Sequence, residues 1–200
     1  MNKCLNWILS ALLLASVVFP SCSEDDGAID PFADWETRNQ VFIDSVAVVA
    51  RNNPSEWLTI HTYKFLPGTG QGLEGDLQTD VNSYVYCKVL KKGEGATPLF
   101  NDTVSVNYRG KLIPLLNGEE VVFDQSYQGD LKEEIAVPAI FNVNGVIEGW
   151  TTALQQMKEG DRWEVYIPSN LAYGSVHKPS IPGGSTLIFD MHLVEVKPLR

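Results

Sequence analysis

The sequence predicts an α+β fold: a strongly twisted antiparallel β-sheet wrapped around one short α-helix, with an amphipathic helix ahead of it. Three observations carry this reading. Apolar and polar residues alternate over 103–112, with Val104, Val106 and Tyr108 set against Ser105, Asn107 and Arg109, and a longer alternating run covers 186–196. That period of two is the mark of half-buried strands. Between these runs only one short stretch, 150–158, is made of helix formers, and Asn117 with Gly118 marks a hairpin turn of the kind that joins antiparallel neighbours.

Each element follows from its residues. Asp30 before Pro31 offers a cap and a first helical position, and Trp35, Phe42, Val46 and Val49 recur at helical spacing, so 31–52 reads as an amphipathic helix stopped by Pro54. A lone helix of this length is marginal in water. Its apolar face must therefore cover the rest of the chain or a second copy, which makes 31–52 a candidate dimerisation arm. Residues 56–66 favour strand, with His61 as a packing or surface residue, and Pro67, Gly68, Gly70 and Gly72 break it. The loop to about residue 79 is taken as a boundary, leaving 31–80 as an N-terminal extension and 81–200 as the main domain. Strands follow over 82–90, 103–112 and 120–123. A long connection, 125–140, leads to a strand through Phe141 and Val143, a turn at Gly145, the helix over 150–158, a strand over 163–168 and the last strand over 186–196. Gly149 lets the backbone pass closely just before Trp150, whose indole is placed where an apolar cavity would have its floor.

Two further segments return to this cavity, 171–174 and 186–196, and the chain carries an ordered set of short motifs: Val104, Val106, Tyr108 and Gly110; Phe123 and Asp124; Val146, Ile147, Gly149 and Trp150; Met157 and Gly160; Ile167 and Pro168; Ala172, Tyr173 and Gly174; Ile181 and Pro182; Thr186, Leu187, Ile188 and Phe189. Any one pair is weak, but together and in order they resemble the FK506-binding (FKBP-type) peptidyl-prolyl cis-trans isomerases over roughly residues 82–197. The resemblance implies an enzyme that turns X-Pro bonds without a cofactor, acting on proline-containing unfolded or extended polypeptides and open to macrolide inhibitors. It implies Trp150 as the floor under the proline ring and Tyr108, Phe141 and Phe189 as walls, with Val146 and Ile147 beside them and the Ile147 amide as a donor. Tyr173 would donate its hydroxyl to a substrate carbonyl, Asp124 with Phe123 would form the polar side of the mouth, and Ile181 would close the rim.

The chain departs from the family pattern in two places. The loop after Tyr173 is one residue short of a common form, with Lys178 where the family usually has a histidine before proline and His177 one position earlier. The 125–140 connection is several residues longer than in the smallest relatives and holds no arginine to pair with Asp124, which leaves Arg109 as the candidate cation. These changes bear on substrate preference, and they motivate an alternative: a non-catalytic peptide-binding chaperone module using the same groove.

Composition sets further bounds. A formal net charge of -10, from 15 Lys and Arg against 25 Asp and Glu, disfavours nucleic acid and a polybasic membrane patch. Lys3 and the apolar run from Trp7 to Phe19 read as a removable export signal over 1–21. Ser21 before Cys22, followed by an acidic tether over 22–30, looks like a bacterial lipoprotein processing site. Cys22 is thus the candidate lipidation residue, anchoring an exported protein in the cell envelope, at the periplasmic or outer-membrane surface. Cys87 then remains alone as a buried small hydrophobe, and no Cys or His cluster has metal-ligand spacing. No Gly-x-Ser-x-Gly elbow accompanies His61, His177 or His192, so hydrolase chemistry is disfavoured.

Overall fold

The computed structural model of the chain describes residues 30–64 and 80–199. The expected export signal, Cys22 and the tether short of Asp30 lie outside the described residues, as does the stretch 65–79 ahead of the expected boundary. In chain order the elements are helix α1 (Trp35–Asn52), strands β1 (Trp57–His61), β2 (Tyr84–Lys91), β3 (Thr103–Lys111), β4 (Val122–Gln125) and β5 (Ala139–Asn142), helix α2 (Glu148–Leu154), and strands β6 (Arg162–Ile167) and β7 (Leu187–Lys197).

The strands form one antiparallel sheet in the order β1-β2-β6-β7-β3-β4, with β5 also paired to β3. The two strands with the plainest alternation, β3 and β7, sit side by side in its interior. Alternation sends Val85, Cys87, Val104, Val106, Val165 and Met191 to one face, where all are fully buried. Helix α2 closes over that face through Trp150, Ala153 and Leu154. Tyr84, Tyr86 and Tyr166 point the other way, and α1 lays Ile43, Val46, Ala47 and Ala50 on them. Trp57 stacks on Tyr166 with ring centroids 5.4 Å apart. One end of the sheet is thus covered on both faces, by α2 on one and α1 on the other. Cys87 is buried as expected, and burial pushes its thiol well above the ordinary range.

Several boundaries differ from the sequence expectation, each for a local reason. Helix α1 starts at Trp35, not at Pro31, and Asp34 holds the N-cap position at φ 51°. Asp30 instead closes a turn, its carboxylate accepting from the Phe32 amide at 2.9 Å, which brings Phe32 edge-on to Trp35 at 5.2 Å. The buried seam of α1 runs Trp35, Asn39, Ile43, Val46, Ala47 and Ala50. Val49, expected on that seam, is 44 % exposed. At about 100° per residue it lies roughly a quarter turn off the seam's centre. Because the seam is covered by its own chain, self-association through 31–52 would have to use the outward Val41, Val48 and Val49.

Strand β1 ends at His61, short of 66, because Thr62 leaves the sheet and donates to the carboxylate of Glu148 on α2. His61 packs its ring edge-on against Tyr84. Helix α2 occupies Glu148–Leu154, not 150–158, and the Lys158 amide beyond it is taken by the Asp161 carboxylate at 2.6 Å. The hairpin turn holds Gly118 at φ 83°, and the strand after it runs Val122–Gln125 in place of 120–123. Asp124 is therefore a strand residue.

Candidate active site

The space between the sheet and the N-terminal end of α2 is a cavity of about 780 Å³. Strand register explains who lines it. On β3, Tyr108 shares the α2-facing side with Val104, Val106 and Gly110, and Asp124 sits opposite Gly110, Phe141 opposite Val104, and Phe189 again opposite Gly110 on the other flank. Partners in register point to the same side of a sheet, so four strands deliver Tyr108, Asp124, Phe141 and Phe189 to one concavity. The turn 143–147 supplies Val146 and Ile147, α2 supplies Trp150, and the loop after β6 supplies Tyr173 and Ile181. With Phe123 of β4, all ten residues singled out in the domain line this cavity. Cys22 lies outside the described residues.

Trp150 is 4 % exposed and takes the edges of three rings, with Tyr108, Phe141 and Phe189 each 5.2 Å from it for Trp150 and interplanar angles of 72–84°. Phe123 extends the box by meeting Phe189 edge-on at 5.5 Å. Edge-to-face pairs add about 0.5–1.5 kcal/mol each beyond their area, so the rings hold one another in place. The indole Nε1 is buried with no hydrogen-bond partner among the described residues.

The polar groups at the mouth are few. Tyr108 donates its hydroxyl to Asp124 Oδ2 at 2.8 Å. Burial first, and then the Asp124 carboxylate, push the Tyr108 phenol far above its usual range, so it stays a protonated donor. Arg109, the candidate cation for Asp124, does not reach it. As the neighbour of Tyr108 on a strand it points to the opposite face, where it bonds Glu120 at 3.4 Å. Tyr173 is 37 % exposed, and the Lys178 ammonium lies over its ring at 5.5 Å. The Ile147 amide donates to no group among the described residues.

Three positions take roles in the site that the sequence reading did not give them, although it names Gly110 among the motifs and Lys178 as a departure from the family pattern. Gly110 is the reason two walls meet, since a Cβ there would come within 2.6 Å of Phe189 and 2.7 Å of Phe123. A glycine inside an alternating strand was the available signal. Lys178 and Pro179 also line the mouth, and nothing in the local sequence says that they, and not His177, face it. Gly149 behaves as expected: a side chain there would run into Ile167.

Similarity to known proteins agrees with this arrangement. FKBP-type peptidyl-prolyl cis-trans isomerase FkpA of Escherichia coli strain K12 is 42% identical over 126 residues, which cover 62% of this chain and 42% of the relative. The peptidyl-prolyl cis-trans isomerase Mip of Coxiella burnetii is 43% identical over 122 residues, covering 60% and 48%. The outer membrane protein MIP of Legionella longbeachae is 46% identical over 112 residues, covering 55% and 43%. The chain thus spans less than half the length of each of these relatives. The crystal structure of a peptidyl-prolyl cis-trans isomerase from Pseudomonas syringae superposes with a TM-score of 0.55 at 26% identity, over 86% of this chain and 100% of the other. Residues 95–194, half of the chain, match the family of FKBP-type peptidyl-prolyl cis-trans isomerases, and the chain belongs to that family.

Proposed function

We propose that this protein accelerates cis–trans isomerisation of X-Pro bonds in exported polypeptides by non-covalent stabilisation of the twisted imide. The observation that carries the reading is the aromatic box: one buried indole under three edge-on rings, opening at Tyr173 and Asp124. The planar imide owes its barrier of about 18–20 kcal/mol to resonance that places negative charge on oxygen. Twisting removes that resonance, so the transition state is less polar at oxygen and its nitrogen is pyramidal. An apolar, water-poor hollow favours the twisted form over the planar one, which is the differential binding that raises a rate. Bringing exchange from tens of seconds to milliseconds requires about 5–6 kcal/mol. No nucleophile is needed. Asp124, already accepting from Tyr108, is a fixed negative charge at the mouth, and the Ile147 amide and the Tyr173 hydroxyl are the donors for substrate carbonyls.

The test is a proline-limited refolding or X-Pro peptide assay. The expected result is acceleration that drops at least tenfold in Trp150→Leu and Asp124→Ala. Rates at background for the parent protein would remove the reading. Macrolides are expected to compete for the same hollow.

A second reading, a holder of extended chains with little turnover, is favoured by Ile135, Val137 and Ile140, which are 74, 79 and 65 % exposed on and beside the long connection. It predicts suppression of aggregation at background isomerisation. In either case the proposed organisation is an export signal at 1–21, lipidated Cys22 and tether to 30, an extension to 80 and the isomerase domain from 81. A relative described as an outer membrane protein supports the envelope location. Cys22→Ser is expected to move the protein from the membrane fraction to the soluble one.

A further inference from the structure

The loop after Tyr173 ends in a small clamp. The Lys178 amide donates to the Ile181 carbonyl at 2.9 Å, and the Ile181 amide returns a bond to the Lys178 carbonyl at 3.1 Å. Between them Pro179 restricts one φ and Ser180 sits at φ 68°, a left-handed value that few non-glycine residues adopt. Ile181 is buried, 7 % exposed, so the clamp is anchored in the wall of the cavity. The backbone of Lys178 is therefore held at the rim. His177 is not available there, because its Nδ1 accepts from the Gly183 amide inside the loop at 3.3 Å.

The ammonium of Lys178 lies 5.5 Å over the Tyr173 ring. Among the described residues it pairs with no carboxylate: the ion pairs of Lys64, Lys91, Arg109, Lys111, Arg162, His192 and Lys197 account for all those present. Asp124, the other charged residue of the lining, is engaged by the Tyr108 hydroxyl. The mouth thus offers one cation with no carboxylate in contact among the described residues, beside the phenol that would hold the substrate backbone, while Asp124 keeps its own charge because the Tyr108 hydroxyl is neutral.

We infer that Lys178 makes this site select X-Pro segments that carry a carboxylate beside the proline. The inference rests on the isomerase-site reading above and names its substrate class. The protein's overall charge of -10 opposes acidic ligands at long range, but at physiological ionic strength that repulsion is screened beyond about 8 Å, whereas a contact pair survives. An exposed pair of this kind corresponds to about a threefold preference.

The experiment uses one peptide scaffold with Glu, Gln or Lys placed immediately before, and separately immediately after, the proline. At physiological ionic strength the parent protein is expected to show about threefold higher kcat/KM for Glu than for Gln in at least one position, with the difference vanishing at high salt. Lys178→Gln is expected to erase the difference, Lys178→Arg to keep it, and Lys178→Glu to reverse it in favour of the Lys peptide. An unchanged Glu-to-Gln ratio in Lys178→Gln, or a ratio of one in the parent, overturns the inference while leaving isomerase activity standing. If no peptide is turned over, the isomerase reading fails by itself. Fluorescence anisotropy on the same labelled peptides then decides the Lys178 inference, equal affinities for Glu and Gln overturning it.

Discussion

Tyr108 is held from two directions, its ring edge-on to Trp150 and its hydroxyl on Asp124. Removing the hydroxyl leaves the packing and frees the carboxylate. Tyr108→Phe is therefore expected to lower kcat/KM by about three- to tenfold, the net worth of one ordinary intramolecular hydrogen bond, with the fold intact. Unchanged kinetics on X-Pro peptides would show that the orientation of Asp124 is irrelevant to turnover. Gly110 acts by absence. A methyl group there meets both Phe123 and Phe189, and neither can retreat far, since Phe189 is packed against Trp150. Gly110→Ala should cost about 1–3 kcal/mol in urea unfolding, as overpacking does, and should lower activity more than Tyr108→Phe does.

Among the elements, α1 does more than cover the sheet. Its Asn39 is 1 % exposed, accepts from the Thr186 amide at 2.7 Å and donates to the Trp35 carbonyl, while the Trp35 indole donates to Ser185 at 2.9 Å. The helix thereby fastens the end of the loop that begins at Tyr173 and contains Lys178 and Ile181. Asn39→Ala would leave a buried amide without an acceptor, at about 1–3 kcal/mol. The expected signature is a lower urea midpoint together with a raised KM, because the loosened loop belongs to the mouth. A stability loss with KM unchanged would reduce α1 to a cover. The long connection after β4 is fastened in turn on the opposite face: Tyr127 donates to Asp190 at 2.9 Å beside the Arg162–Asp190 pair, and Lys91 bonds Glu133 at 2.7 Å.

That polar patch sets how the whole molecule responds to acid. His192 is buried, with Nε2 3.8 Å from Glu133 and Nδ1 without a hydrogen-bond partner among the described residues. Burial holds its imidazole below the ordinary 6.5. Of the groups facing it, Glu133 on the connection and Asp190 on β7 pull the other way, and Lys91 on β2 and Arg162 on β6 reinforce the shift. The folded protein then binds this proton less readily than the unfolded chain does. Stability is full above about pH 6.5 and falls as the pH drops below it. Glu133, held below its ordinary 4.5 first by the Lys91 hydrogen bond, contributes stability present above that pH and lost beneath it. Urea midpoints measured against pH should decline in two ranges, with His192→Gln flattening the upper one and Glu133→Gln the lower. A pH-independent midpoint between 6.5 and 4.5 in the parent would contradict the burial of His192 in its neutral form.

Much of this was readable from local pattern, because burial is written into spacing. Period-two runs placed β3 and β7, the break at Gly118 placed a hairpin, and the ordered motifs, through the family they resemble, named ten residues of the cavity's lining. Local pattern failed wherever a side chain's partner comes from far along the chain. Asn39 looks like a surface residue until Thr186 is found beside it, 147 positions away. Asp124 looked for an arginine and met the hydroxyl of Tyr108, because strand alternation carries Arg109 to the other face. His177 and Lys178 are adjacent and both polar, and only the closure of the loop on Gly183 and Ile181 ties the ring of the first to the loop's own backbone and leaves the second at the rim. Hydrophobic spacing is a property of short segments, whereas hydrogen-bond and charge partners depend on register and on which loops meet, and these exist only once the chain has folded.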